Sequence, residues 1–316
     1  MSVRSVDMHA DLAGAALPSP VLTASGCAAA GRELDRFFDI TEIGAIVTKS
    51  IMVNPRSGRA TPRMAETPAG MLNSIGLQGP GIEEFINKDL AWLRQRGARA
   101  VVSIAGGSVN EYAELAKRLR HEDGISAIEV NISCPNVESR GEVFACEARS
   151  ASGVIHAVRR NTNSRMPVLA KLSPDVTDIV DIARACVNAG ADGVSVINTT
   201  LGMVIDTTTM RPALAGVTGG LSGPAIRPIA VRCVWQIRQA LPDLPILGMG
   251  GIATGLDALQ FLLAGANAVS VGTSVFNDPS APWRVHQELA AALAERGFAS
   301  VADAVSYAHR RDEQAG

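Results

Sequence analysis

PVLAKLSPDVTDIVDIARACVNAGADGVSVINT, residues 167–199, changes period twice. PVLAKLS (167–173) has a continuously apolar core, as expected of a strand covered on both faces. DIVDIARACVNAGADG (178–193) then spaces its apolar residues at a helical period, and GVSVINT (193–199) returns to the strand pattern. Strand, helix and strand in this order predict two parallel strands joined by a right-handed crossover.

The same beat continues in both directions. Further strand-like runs are PVLTAS (20–25), AIVTKS (45–50), RAVVSIAG (99–106), AIEVNIS (127–133), PILGMGG (245–251) and AVSVGTS (268–274). Segments of helical period lie between most of them, among them GIEEFINKDLAWLRQRG (81–97), VNEYAELAKRLRHEDG (109–124) and GPAIRPIAVRCVWQIRQAL (223–241). Eight strands in a span of about 250 residues are the count of a closed α/β architecture, the (β/α)8 TIM barrel. An open doubly wound sheet would require an early G-x-G-x-x-G turn, and none follows the first strands. The chain therefore reads as a single barrel domain over residues 1–316, with no linker or second domain. Its polar tail after Tyr307 is expected to fray.

Long connections follow the second strand (51–80), the fourth (134–147) and the sixth (200–222). In a barrel all three crowd the C-terminal face, where such folds keep their sites, and long connections there commonly act as lids.

Composition narrows the function. The 316 residues are 47% hydrophobic and 19% charged, with 29 basic and 31 acidic side chains and a net charge of −2. No block of like charge suggests a nucleic-acid partner, and no apolar run reaches the roughly 18 residues that span a bilayer. The charged start MSVRSVDMHADLAG lacks a signal-peptide core, which points to a cytoplasmic protein. The cysteines at 27, 134, 146, 186 and 233 form neither an even disulfide framework nor a C-x-x-C pair, and the histidines show no H-x-x-H pattern. A resident metal is not expected.

The strand ends carry the chemistry. They bring Ser25-Gly26, Lys49-Ser50, Ala105-Gly106, Asn131 with Cys134, Lys171, Asn198-Thr199, Gly250-Gly251 and Gly272-Thr273 to one rim. A lone lysine past a strand is ordinarily solvated, and a lone cysteine is ordinarily a small buried side chain. Two lysines and two asparagines on the same rim as Cys134 argue instead for a polar site. GMGGI (248–252) and VGTSVF (271–276) place glycines after strands seven and eight, the recurrent phosphate position of this barrel. Asparagine amides and lysine charge suit a flat heteroaromatic ligand such as a flavin, whose reduced, anionic ring Lys171 could stabilise. A Schiff-base lyase using Lys171 remains open on these residues alone.

The segments KSIMVNPRSGRATPRMAETPAGMLNSIGLQGPG (49–81), VNISCPN (130–136), AKLSPDVTDI (170–179), INTTLGM (197–203), TGGLSGPAIRPIA (218–230), GMGGI and VGTSVF resemble dihydroorotate dehydrogenase, in that family's order, from about Leu22 to Asn277. The form TGGLSGPAIRPIA most resembles the class 1B catalytic subunit. The resemblance implies an FMN enzyme that oxidises (S)-dihydroorotate to orotate in pyrimidine synthesis. It makes Cys134 the base that takes a proton from ring carbon 5. It assigns substrate contacts to Lys49, Asn73, Ser74, Ile75, Gly76, Leu77, Asn131, Asn136, Asn198 and Thr199. It assigns FMN contacts to Ser25, Lys49, Ser50, Asn131, Lys171, Ile197, Gly223, Gly250, Gly251, Gly272 and Thr273.

It also implies a homodimer at the core of a heterotetramer, whose electron-transfer subunit carries FAD and a [2Fe–2S] cluster and passes electrons to NAD. The alternative is a class 1A-like dimer that reduces fumarate directly. Two positions depart from the family pattern. Ser103 replaces an asparagine, which shortens an expected FMN contact, and Cys27 stands in a segment that usually contains an aromatic residue.

Overall fold

The computed structural model describes residues 5–132 and 147–310. Eight short strands follow the sequence beat: β1 (Val21–Thr23), β2 (Ile46–Val47), β3 (Ala100–Ile104), β4 (Ile125–Asn131), β5 (Val168–Leu172), β6 (Gly193–Val196), β7 (Ile246–Met249) and β8 (Ala268–Val271). They form one parallel sheet in the order β1-β8-β7-β6-β5-β4-β3-β2. The ends of that sheet meet. Gly44 N–H donates to Val21 O (2.7 Å), Thr23 N–H to Ala45 O (3.2 Å), and Thr23 Oγ1 accepts from Val47 N–H (2.9 Å). A Cβ on Gly44 would lie 2.4 Å from Ser19 O, so only glycine allows the seam to approach this closely. The result is a (β/α)8 barrel.

Helices cover the outside. After β2, α1 (Ile82–Glu84) continues through a wider-wound segment, Phe85–Leu90, into α2 (Ala91–Arg96). The later units carry α3 (Val109–Leu119), α4 (Ala148–Asn161), α5 (Ile179–Asn188), α6 (Arg227–Ala240), α7 (Gly255–Ala264) and α8 (Ala281–Glu295). Local chemistry sets their ends. Ser108 and Asp178 accept from N–H groups of the first turns of α3 and α5, Thr254 and Asp257 cap α7 reciprocally, and Gly97 and Gly265 end α2 and α7 in the left-handed conformation. The first unit has a short turn, Leu34–Arg36, between β1 and β2.

The two faces of the strands separate into two cores. Val102, Ile104, Ile128, Val130, Val168, Ala170, Val194 and Val269 pack outward against the helices. Leu22, Val101, Ala127, Leu169, Leu247 and Ala268 fill the lumen with Leu12 and Leu17 of an N-terminal hairpin (Ala10–Leu12 paired with Ala15–Leu17). Side chains alternate along a strand, so the next inward positions are Ser103, Glu129, Lys171, Ser195 and Ser270, all buried. The strands are thus not uniformly apolar, as their sequences suggest. Their lumen face turns polar toward the C-terminal end.

Two of the three long connections also differ from the expected irregular loops. Met64–Thr67 and Gly70–Asn73, after β2, join Thr200–Gly202 and Gly219–Ser222, after β6, in a four-stranded antiparallel sheet. Gly70 allows this contact, since a Cβ there would fall 1.9 Å from Ser222 O. The third connection, expected at 134–147, lies outside the described residues except for Glu147. At the other end of the chain, His309 stacks on Trp235 (3.6 Å between ring centroids), so the tail stays anchored beyond Tyr307; residues 311–316 are outside the described set.

Candidate active site

A cavity of about 400 Å³ opens at the C-terminal end of the strands, between the barrel rim and the four-stranded sheet. The rim supplies Ser25, Lys49, Ser50, Asn131, Lys171, Ile197, Asn198, Thr199, Gly250, Gly251, Gly272 and Thr273. The connections above it supply Asn73, Ile75, Gly76, Leu77 and Gly223. Every described residue that the resemblance assigns to substrate or FMN therefore lines one cavity, except Ser74; Ala105 and Gly106 of the rim do not line it. Ser74 is buried outside the wall, where its Oγ accepts from Arg59 Nη1 (3.2 Å); it can hold Arg59 in place but does not face the cavity. Cys134 and Asn136 fall outside the described residues.

Ser25, Ser50, Asn131 and Asn198 of the wall form one hydrogen-bonded chain with Ser103 and Glu129, and its direction can be read from its end. Ser103 Oγ donates to the carboxylate of Glu129 (Oε1, 3.0 Å), and a carboxylate only accepts. Ser103 has one proton, so it must accept from Ser50 Oγ at 2.9 Å. Ser50 is then free to accept from Asn131 Nδ2 (3.0 Å) and from Ser25 Oγ (3.3 Å). With its amide nitrogen so engaged, Asn131 presents Oδ1 to Asn198 Nδ2 (3.2 Å), and Asn198 Oδ1 accepts from Thr199 N–H (2.9 Å). Tyr112 Oη fixes the strand end by donating to Asn131 O (2.8 Å). One buried carboxylate thus orients the donors and acceptors of the cavity wall.

Glu129 also pairs with Lys171 (Nζ to Oε1, 3.4 Å), and both side chains are almost wholly buried. The sequence reading passed over Glu129. The signal was present: a lone acid inside the apolar run AIEVNIS, two positions from Asn131 and so on the same face. Ser103 does not reach the cavity. It is fully buried and serves Ser50 and Glu129 instead.

Cys27 proves to line the cavity as well. Desolvation pushes its thiol up to about 11, against the pull of the Lys171 and Lys49 ammonium groups. It is a neutral thiol at neutral pH and unsuited to act as a base there.

The glycines shape the far wall. Gly223, Gly250 and Gly251 have φ values of +95°, +129° and +74°, open to glycine and strained for other residues. A Cβ on Gly251 would lie 2.7 Å from Gly223 O, and one on Gly250 2.9 Å from Ala230 Cβ. The close contacts leave no room for a side chain at either position. Ser270 Oγ, buried in the same wall, has no partner. Among the described residues no group of three side chains could hold a metal ion, and no helix is long and apolar enough to cross a membrane.

The family model for dihydroorotate dehydrogenase matches residues 8–293. The chain belongs to the dihydroorotate dehydrogenase family. Its relatives include the protein named dihydroorotate dehydrogenase B (NAD(+)), catalytic subunit, of Geobacter sulfurreducens, 48% identical over 95% of this chain and 97% of that one. The proteins of the same name from Desulforudis audaxviator and Pelobacter propionicus are 50% and 49% identical over 95% of this chain, covering 96% and 97% of theirs. These matches span the barrel, the four-stranded sheet and the glycine wall together, so the dihydroorotate dehydrogenase assignment applies to the whole cavity and not to an isolated motif. Membership of this family does not favour a Schiff-base lyase role for Lys171, whose Nζ lies 3.4 Å from Glu129 Oε1.

Proposed function

We propose that this chain oxidises (S)-dihydroorotate to orotate in pyrimidine synthesis, as the FMN-binding catalytic subunit of a cytoplasmic class 1B enzyme that delivers electrons to NAD. The observation that carries the reading is the cavity itself, where two lysines, three asparagines and a glycine wall converge at the barrel rim of a chain of this family.

The donor set fits FMN. The glycine turns at 250–251 and 272–273 offer backbone N–H groups for a phosphate, and unpartnered Ser270 Oγ offers a further polar contact in the wall. Lys171 would supply positive charge to a bound flavin, and Ser25, Lys49, Ser50, Asn131, Ile197 and Gly223 would help to hold it. When bound, FMN supplies a hydride acceptor for ring carbon 6 of the substrate.

The chain's own residues do the rest. Lys49, Asn73, Asn131, Asn198 and Thr199 hold the substrate, with Ile75, Gly76 and Leu77 covering it. Oriented asparagine amides suit a pyrimidine ring because each offers a donor and an acceptor side by side. Cys134 takes the proton from carbon 5, and Asn136 adds a contact beside it. The four-stranded sheet roofs the cavity and excludes water from the exchange.

Gly251 gives a direct test of the phosphate wall. Gly251→Ala forces a Cβ against Gly223 O at a positive φ, a strain of about 1–3 kcal/mol. We expect the FMN dissociation constant to rise about tenfold or more, read by quenching of flavin fluorescence as apoprotein is titrated in. An unchanged constant removes these glycines from the FMN site.

The partner is expected to carry FAD and a [2Fe–2S] cluster and to join a homodimer of this chain. The exposed apolar side chains Leu201, Met203, Ile205, Met210 and Val217 support a protein contact on the connection after β6. Acceptor preference tests the subclass. The isolated chain should reduce fumarate poorly and NAD not at all, and NAD reduction should appear when the electron-transfer subunit is added. Efficient fumarate reduction by the chain alone would instead establish the class 1A-like alternative.

A further inference from the structure

Glu129 has no part in the chemistry just proposed, yet its carboxylate is fully buried behind the cavity wall. It occupies the inward face of β4, fully buried, and does not itself line the cavity. Lys171, on the neighbouring strand β5, does. The pair is therefore layered: ammonium on the wall, carboxylate behind it, 3.4 Å apart.

The carboxylate is unevenly satisfied. Oε1 takes both the Ser103 hydroxyl and the Lys171 ammonium, while Oε2 is buried with no hydrogen-bond partner. An ionised carboxylate can accept about four hydrogen bonds, and a bare oxygen in a dry interior keeps its negative potential unscreened. That potential opposes the field of Lys171 at the cavity. In a low-dielectric site such opposition acts over several ångströms. A lysine alone would favour the more negative, reduced form of a bound flavin. A lysine backed by a bare carboxylate favours it less.

We infer that Glu129 is a charge-balancing and positioning residue, acting through Lys171, that holds down the reduction potential of flavin bound in this cavity. The inference rests on the FMN reading above. It fits the proposed use, because electrons bound for NAD must leave a centre that does not retain them too strongly.

The test is the midpoint potential of the FMN-loaded chain at fixed pH, for wild type and two variants. Glu129→Gln keeps the side-chain volume and an acceptor for Ser103 and Lys171 but removes the charge. It should bind reduced FMN about tenfold more tightly relative to oxidised FMN, an upward shift of about 30 mV for a two-electron couple. Ser103→Ala removes the hydroxyl from Oε1 without changing any charge. It leaves the carboxylate barer and should move the potential downward. Opposite shifts from two neighbouring substitutions are not the mark of a general structural disturbance.

An unchanged or lowered potential in Glu129→Gln overturns the inference. Should that variant not fold, Ser103→Ala decides alone, and an unchanged or raised potential there overturns it equally. A wild-type chain that binds no FMN would fell the cofactor reading and this inference with it. Bound FMN with potentials that ignore both substitutions would fell only the inference.

Discussion

Cys134→Ala should retain FMN and lose dihydroorotate-dependent flavin bleaching by about 10²- to 10⁴-fold, the usual contribution of a positioned general base. The expectation rests on what the rest of the cavity lacks. Among the described residues Cys27 is the thiol at the wall, and desolvation pushes it up to about 11. Ser25, Ser50, Asn131 and Asn198 are tied into the Glu129 chain, and their amide and hydroxyl groups are poor proton acceptors. Lys171 is held in an ion pair. An ordinary thiol titrates near ~8.5, so bleaching by the unaltered chain should accelerate as pH rises toward that range, and the acceleration should vanish in the alanine variant. Rapid-mixing absorbance of the flavin band measures both. Cys134→Ser is less informative, because a hydroxyl can still serve as a weak base. Near-normal bleaching in Cys134→Ala would transfer the role of base to another residue.

Lys171→Met should destabilise the chain by about 3–5 kcal/mol, even without cofactor. Methionine fills similar space, so the loss does not come from packing. It comes from stranding Glu129, whose carboxylate is fully buried and would keep a single hydroxyl partner, Ser103. A buried charge that loses its counter-ion costs far more than the pair contributes net. The double variant Lys171→Met/Glu129→Gln should therefore recover most of the stability while leaving FMN binding weak. Urea unfolding of the apoproteins measures the first effect and flavin titration the second. If the double variant is no more stable than the single one, the ion pair is not what holds this part of the barrel together.

Both predictions turn on side chains whose legibility in the sequence differed. The eight strands could be located because each is short, apolar and followed by punctuation, and each predicted run overlaps a strand of the barrel. The rim residues could be found because strand ends in a barrel converge, so Lys49, Asn131, Lys171 and Asn198 were readable as a set before any distance was known.

What lay beyond reach was pairing between distant segments. Nothing local in MAET (64–67) or GMLN (70–73) announces that Gly219–Ser222, nearly 150 residues later, will complete their sheet. The N-terminal hairpin was missed for the opposite reason. Its signal, Ala13-Gly14 at positive φ between two three-residue strands, is too short to stand out from a loop. Glu129 was hidden by its surroundings, since one acid in a run of apolar residues reads as noise until the strand's inward face is known. Ser103 stood out only as a departure from the family pattern, and its bond to Glu129 was not legible because it joins two strands.

The account stands most directly on one anaerobic titration. The purified chain, yellow with FMN, is mixed with increasing (S)-dihydroorotate while the flavin spectrum and the orotate formed are followed together. We predict bleaching of the flavin with one orotate produced for each flavin reduced. A chain that carries no flavin, or flavin that stays oxidised in excess dihydroorotate, would contradict it.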